Sequence, residues 1–301
     1  MNFEILEMLR KISHDTVADE PMKNHTSFKI GGPADYFTEP DNVEQIGQII
    51  EFCKNEKLPC FIMGNGSNLL VSDKGIEGVV VNIGDKFSGV EIDGKRVFAG
   101  AGILISRFSK ILLENELSGL ECGSGIPGTL GGGIYMNAGA YGFEMKNVVK
   151  SVTYADENGE IKKASGEELD FGYRKSMFTG RNCVIILAEM EFEKGNKEDI
   201  KKLMAECTAK RVDKQPLSMP SAGSVFKRPE GNFAGTLIEQ AGLKGYSIGG
   251  AQVSEKHAGF IVNTGGATAD DVLKLIDYII KTVEEKFEVT LEPEIRLIGR
   301  I

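Results

Sequence analysis

Phe3, Leu6, Leu9 and Ile12 recur at helical spacing, so a short amphipathic helix is expected to open the chain. The turn-rich NHTSFKIGGPADYF separates it from a second helix with the apolar face Val43, Ile46, Ile49, Ile50 and Cys53. Asp41 and Glu44 stand at capping-box spacing at the start of that helix. Two uninterrupted apolar runs, CFIM (60–63) and GVVVN (78–82), predict buried strands flanking the loop GNGSNLLVSDKG. From about residue 85 the pattern predicts a strand-like IDGKRVFAG, a helix over 103–116, and strands at SVTYAD and VIILAEMEFE. A helix over 197–213, polar on one face, is halted by Lys-Gln-Pro. Beyond it come the loop SAGSVFKRPEG, helix FAGTLIEQAG, strand GFIVN, a helix over 269–286 that Thr268 is placed to cap, and a last strand in EPEIRLIG. Strands and helices mix without steady βαβ alternation, so the expected class is α+β rather than a doubly wound sheet.

The 301 residues suffice for a large core and for two or three structural units. Hydrophobic residues at 41% and charged residues at 26% are ordinary globular proportions, which argue against disorder or a fibrous class. A net charge of -9 disfavours non-specific nucleic-acid binding, so an anionic ligand has to be drawn by a local basic cluster. The five cysteines form no C-x-x-C pair and have no histidine at zinc-ligand spacing; no metal site is expected, and free thiols are. The N-terminal MNFEILEMLRKISHD has charges within its apolar pattern, unlike a signal peptide. No apolar run nears the roughly 18 residues a membrane helix needs, so a cytoplasmic protein without a membrane partner is expected.

The stretch GSGIPGTLGGGIYMNAGAYG (123–142) begins with a literal G-x-G-x-x-G. A dinucleotide fingerprint needs a strand before it, a helix after it and an acid about 20 residues on. Here ELSGLEC precedes it without a strand pattern, Gly131, Gly132 and Gly133 oppose a helix at about 1 kcal/mol each, and Glu144 starts no ribose-binding strand end. A linker is excluded by the interleaved Ile126, Leu130, Ile134, Tyr135, Met136 and Tyr141. Two readings stay open on this segment: a ligand lying against backbone amides, or tight turn packing without a ligand.

The loop GNGSNLLVSD (64–73) offers further amide and small side-chain donors suited to a diphosphate. With NHTSFKIGG, the 123–142 stretch, FGYRKSMF, AGSVFKRP and EPEIR in this order, the chain from about residue 24 to 300 resembles the UDP-N-acetylenolpyruvoylglucosamine reductase family, in its shorter type. The resemblance implies a two-subdomain FAD-binding portion of the vanillyl-alcohol-oxidase type, residues 1–84 and 85–205. It also implies an α+β substrate-binding domain, 206–301, whose tail 291–301 returns toward the flavin site. Non-covalent FAD is then expected on Gly64, Asn65, Gly66, Ser67 and Asn68, and on Gly125, Ile126, Pro127, Gly128, Thr129, Gly132, Asn137, Ala138, Gly139, Ala140 and Gly142.

The activity implied is reduction of the enolpyruvyl ether of UDP-N-acetylglucosamine to UDP-N-acetylmuramate, with NADPH as hydride donor, in peptidoglycan precursor synthesis. By the same resemblance Arg174 sits over the substrate carboxylate, a task suited to a planar guanidinium that is charged at any pH. Glu294 is the catalytic glutamate, helpful beside an anionic intermediate only when protonated. Ser224 is the proton donor; a serine suffices because the acceptor is a strongly basic carbon. Lys214 matches a diphosphate-contacting lysine, and Tyr173 and Lys227 are expected in the same pocket. Arg228 departs from the family, where an asparagine is common. His257 has no metal partner or nucleophile beside it in sequence and is expected to be structural or at the surface. Two other classes are carried along: an FAD-dependent oxidase of a sugar or hydroxy acid on the same fold, and a non-catalytic nucleotide-binding module.

Overall fold

A computed structural model describes residues 2–300. Its contacts divide the chain into two units: Met1–Ala18, Asp35–Asn65 and Gly78–Lys210 form the first, and Asp19–Ala34, Gly66–Glu77 and Arg211–Ile301 the second. Both units are discontinuous, so they do not follow the consecutive blocks 1–84, 85–205 and 206–301 expected along the sequence. The chain passes from one to the other within the strands Val17–Pro21, Pro33–Thr38 and Ile76–Asn82, between Asn65 and Gly66, and within the helix Lys197–Lys214.

The first unit is built on an antiparallel five-stranded sheet in the order Ile161–Ser165, Val149–Ala155, Val184–Glu191, Arg96–Gly100, Val90–Asp93. The apolar residues of these strands face one continuous core that also takes in the helices α1 (Phe3–Ile12), α2 (Val43–Asn55) and α3 (Ile105–Glu114). Phe108 of α3 meets Phe192 edge-on, with ring centroids 6.0 Å apart, the preferred geometry for aromatic quadrupoles. The predicted strands CFIM and GVVVN form and pair in parallel, Cys60 opposite Val79 through Met63 opposite Asn82. Cys60, Phe61 and Ile62 are only half-buried, in contrast to the buried strand expected, and Met63 is buried, with Gly64 directly after it.

Local details differ from expectation. The cap of α2 is Asn42, whose Oδ1 accepts the Gln45 amide at 3.0 Å, and the Gln45 side chain accepts the Asp41 amide in return. The expected Asp41–Glu44 box is thus displaced by one residue, because Asn42 takes the extended cap geometry. A short helix α4 (Leu130–Tyr135) forms inside the glycine run, contrary to the propensity argument. Tertiary packing decides the matter: a Cβ on Gly131 would lie 2.9 Å from Ala101 Cβ, and the Gly131 amide donates to the Ala101 carbonyl at 2.7 Å. Only bare backbone allows that approach. The Rossmann reading still fails, since the segment before this helix is the 3-10 turn Glu121–Gly123.

The helix α5 (Lys197–Lys214) carries Cys207, which is bonded to Cys122 across a Cα–Cα distance of 5.4 Å. The free thiols expected from the sequence are therefore Cys53, Cys60 and Cys183 alone. Spacing could not reveal this pair, which stands 85 residues apart.

The second unit packs α6 (Ala234–Gln240) and α7 (Ala269–Phe287) with the antiparallel strands Ser247–Ile248, Ala251–Val253 and Ile261–Asn263. α7 buries Val272, Leu275, Ile276, Ile279 and Val283, a helical stripe. Thr268 caps its start, as expected, Asp271 completes a capping box with it, and Asp73 accepts the amides of Ala269 and Asp270. The C-terminal strand Arg296–Ile298 pairs in parallel with Leu69–Val71. Among the described residues no helix is long and apolar enough to cross a membrane.

Candidate active site

The loop 64–68 is shared: Gly64 and Asn65 belong to the first unit, and Gly66, Ser67 and Asn68 to the second. In the first unit Asn65 Nδ2 donates to the Pro127 carbonyl at 2.6 Å, so the loop and the 123–142 stretch meet. A Cβ built on Gly64 would overlap the Thr129 hydroxyl. That hydroxyl accepts the Gly132 amide at 3.4 Å and caps α4. Asn82 Nδ2 holds the Gly64 carbonyl at 3.2 Å. Sequence reasoning passed over Asn82, although an asparagine ending an apolar strand beside a glycine loop is a legible signal. Gly125, Ile126, Ala138, Gly139 and Ala140 are half-buried, Pro127 and Gly132 are exposed, and Gly128 and Thr129 are buried. The stretch therefore presents backbone and small side chains at its surface, a lining that fits a flat nucleotide cofactor.

Beyond it, the strands Gly139–Ala140 and Phe143–Glu144 form a hairpin whose turn residues Tyr141 and Gly142 have φ of 51° and 86°. These are the left-handed values that a two-residue hairpin turn requires. Arg174 donates to the Gly139 carbonyl at 3.4 Å, and its guanidinium lies 5.3 Å from the Tyr173 ring centroid. Asn137 is fully buried, with its amide committed to Glu144, Gly172 and the Lys146 backbone. Hydrogen bonds from Lys146 and Asn137, with the nearby Arg174 charge, hold the Glu144 carboxyl below the usual carboxylate range.

In the second unit Gly66 has φ of 58°, and a Cβ there would overlap the His25 carbonyl. Ser224 and Glu294, 70 positions apart by their numbers, fall on neighbouring backbone rungs. Ser224 bridges Phe260, Phe226 bridges Pro293, and the Glu294 amide donates to the Val225 carbonyl at 2.7 Å. Asn68 Nδ2 donates to the Glu294 carbonyl at 3.3 Å, and the Arg296 amide donates to the Asn68 carbonyl at 3.0 Å. Asn68, Ser224 and Glu294 thus share one patch of backbone. Ser224 Oγ is half-buried and donates to the Phe226 carbonyl only at 3.4 Å.

Lys227 is exposed and paired with Glu292 at 2.9 Å. Lys214, the last residue of α5, is also exposed. The Arg228 guanidinium stands 4.1 Å from the centroid of the Phe233 ring, a cation–π contact. His257 is half-buried beside this patch: its Nδ1 accepts the Gly259 amide at 3.1 Å and its ring meets Phe260 edge-on. A Cβ added at Gly259 would lie 3.0 Å from the imidazole and 3.5 Å from Ser224 Oγ. Burial, reinforced by the charges of Lys244 and Lys214 against the opposing influence of a backbone hydrogen bond and Glu239, pushes the His257 pKa down.

Comparison with known proteins places this geometry. Residues 34–165 match an FAD binding domain, and residues 215–298 match the UDP-N-acetylenolpyruvoylglucosamine reductase C-terminal domain. An FAD-binding portion followed by this C-terminal domain defines a flavin-dependent oxidoreductase of α+β class. UDP-N-acetylenolpyruvoylglucosamine reductase of Caldanaerobacter subterraneus is 54% identical over 93% of this chain and 93% of its own. The same-named protein of Clostridioides difficile is 49% identical over 98% and 96%. The crystal structure of the reductase from Thermus caldophilus superposes with a TM-score of 0.81 at 34% identity, covering 95% of this chain and 98% of that one. The chain belongs to the UDP-N-acetylenolpyruvoylglucosamine reductase family, and the oxidase and non-catalytic readings are not favoured.

Two outcomes are expected. Gly64→Ala displaces Thr129 and the loop, so FAD affinity falls by roughly tenfold or more. Gly89→Ala, with no atom within 4 Å of the added carbon, retains full flavin; the FAD-to-protein ratio after gel filtration checks both. Because His257 resists protonation when folded, the unfolded chain takes up that proton first as pH drops below about 6.5. Wild type should therefore lose stability relative to His257→Gln between pH 7.5 and 5, read as urea midpoints, and the difference between the two should be independent of pH just above that window.

Proposed function

We propose that Arg174, Ser224 and Glu294 divide the chemistry of the family's reaction, with Tyr173, Lys214 and Lys227 binding the UDP-sugar. The reaction is NADPH-dependent reduction of the enolpyruvyl ether of UDP-N-acetylglucosamine, a step in making peptidoglycan precursors. When bound, FAD would supply the hydride, with NADPH as its source. What this chain's residues must do follows from the other half of the addition. When the CH2 carbon gains hydride, the electron pair of the double bond moves to the carbon bearing the carboxylate, and negative charge spreads into an enolate.

Arg174 meets that charge with a fixed, pH-independent cation, already aimed by its contact with the Gly139 carbonyl. Glu294, protonated beside the anionic substrate, donates a hydrogen bond to the same developing charge. Ser224 Oγ transfers its proton to the carbanion carbon and regains one from solvent, which completes the product without a net change in the protein. Supporting this is one observation above the rest: the Glu294 amide bonded to the Val225 carbonyl at 2.7 Å sets donor and acid on adjoining rungs. The exposure of Lys214 and Lys227 suits them to a diphosphate that arrives from solvent. We assign the reaction to the cytoplasm, where NADPH and nucleotide sugars are available.

Stopped-flow spectroscopy separates the two halves. In Ser224→Ala, NADPH should still bleach the flavin at the wild-type rate, while reoxidation by the enolpyruvyl substrate slows by roughly 10²- to 10⁴-fold. Wild-type reoxidation in this variant would remove Ser224 from the role.

A further inference from the structure

We infer that Asn137 is the positioning residue of Arg174: it acts through the turn that carries the arginine rather than by touching the flavin. The inference rests on the role proposed for Arg174. Arg174 has φ of 54°, a left-handed value that an arginine does not choose on its own. It sits at the tip of a tight turn closed by two backbone bonds, Gly172 amide to Lys175 carbonyl at 2.9 Å and Lys175 amide to Gly172 carbonyl at 3.3 Å.

The Gly172 carbonyl has a second donor, Asn137 Nδ2, at 2.9 Å. The same Nδ2 donates to Glu144 Oε2 at 3.0 Å, and Asn137 Oδ1 accepts the Lys146 amide at 3.0 Å. Both hydrogens and the oxygen of the amide are thus used within the protein, and the side chain is fully buried. Asn137 also has a left-handed φ of 42°, which asparagine tolerates better than other residues with a Cβ. Two residues on, Gly139 supplies the carbonyl that Arg174 Nη2 meets at 3.4 Å. The base and the tip of the turn are therefore both referenced to the short segment 137–139. Aspartate at this position would lose the donor to Gly172 and set a second carboxylate against Glu144; leucine or alanine would leave the Gly172 carbonyl with one partner. The amide chemistry, not merely the size, is what the arrangement requires.

A merely structural asparagine would lower stability and slow every step alike. Positioning predicts selectivity, tested on the FAD-loaded enzyme with Asn137→Ala, Arg174→Ala and the double variant. Asn137→Ala should slow reoxidation by the enolpyruvyl substrate by roughly 10²-fold, the usual penalty of a small misplacement, and by at least about tenfold more than it slows flavin reduction by NADPH. In the Arg174→Ala background the same change should cost less than about threefold more. A second readout does not depend on turnover. Trypsin should cut after Arg174 or Lys175 roughly tenfold faster in Asn137→Ala than in wild type, followed by mass spectrometry, because the freed turn opens more often. Glu144→Ala, at a half-exposed position, removes one of the amide's partners and should show the same pattern more weakly; it decides the question if Asn137→Ala does not fold. Additive losses with unchanged cleavage would overturn the inference while leaving Arg174 in its role. Unchanged reoxidation in Arg174→Ala alone would overturn the role of Arg174 and the functional half of the inference with it.

Discussion

The second unit depends on one strip of backbone, the C-terminal tail from Glu292 to Ile298. On one side it bonds to the segment 225–227, through Glu294 to Val225 and Lys227 to Glu292; on the other it bonds to Asn68 and pairs with Leu69–Val71. Residues distant in sequence by more than two hundred positions are thereby held in one register, and Ser224, Glu294 and Asn68 come to share a patch. A strand of three residues has little packing energy of its own. Its placement relies on backbone bonds to both neighbours and on the burial of Leu291 and Ile295 in the core of that unit.

The first unit meets a different constraint. There the glycine-rich segments are made of backbone brought closer than a side chain allows, at Gly64 against Thr129 and at Gly131 against Ala101. Close approach fixes the loops without covering them. Polar side chains then set the functional group: Asn82 on the Gly64 carbonyl, Asn65 on the Pro127 carbonyl, Asn137 on the Gly172 carbonyl. Each asparagine satisfies a carbonyl that no strand or helix pairs fully, and so converts an irregular loop into a defined surface.

Much of this was legible in the chain. α1, α2 and α7 follow from uninterrupted helical periodicity, and the two strands flanking the 64–73 loop, though not their parallel pairing, from their apolar runs. The ordered motifs carried the family and the cofactor. Other features depend on partners that no local window contains. The helix α4 exists because Gly131 fits against Ala101 and Gly133 against Ile105 and Met145, overriding their propensity. The Cys122–Cys207 bond, the pairing of Lys227 with Glu292 and the discontinuity of both units arise from contacts between distant segments. The side-chain commitments of Asn137 were hidden for the same reason: its partners Glu144, Gly172 and Lys146 become visible only in the fold.

Ser224 and Glu294, proposed to act on one transition state, stand on adjoining backbone rungs, the Glu294 amide bonding to the carbonyl of Val225, next to Ser224. The direct measurement is the rate at which the enolpyruvyl substrate reoxidises the reduced flavin in Ser224→Ala, Glu294→Gln and the double variant. Groups acting on one transition state are strongly non-additive, so the double variant should be slower than the worse single variant by no more than about tenfold. A loss equal to the product of the two single losses would contradict the account.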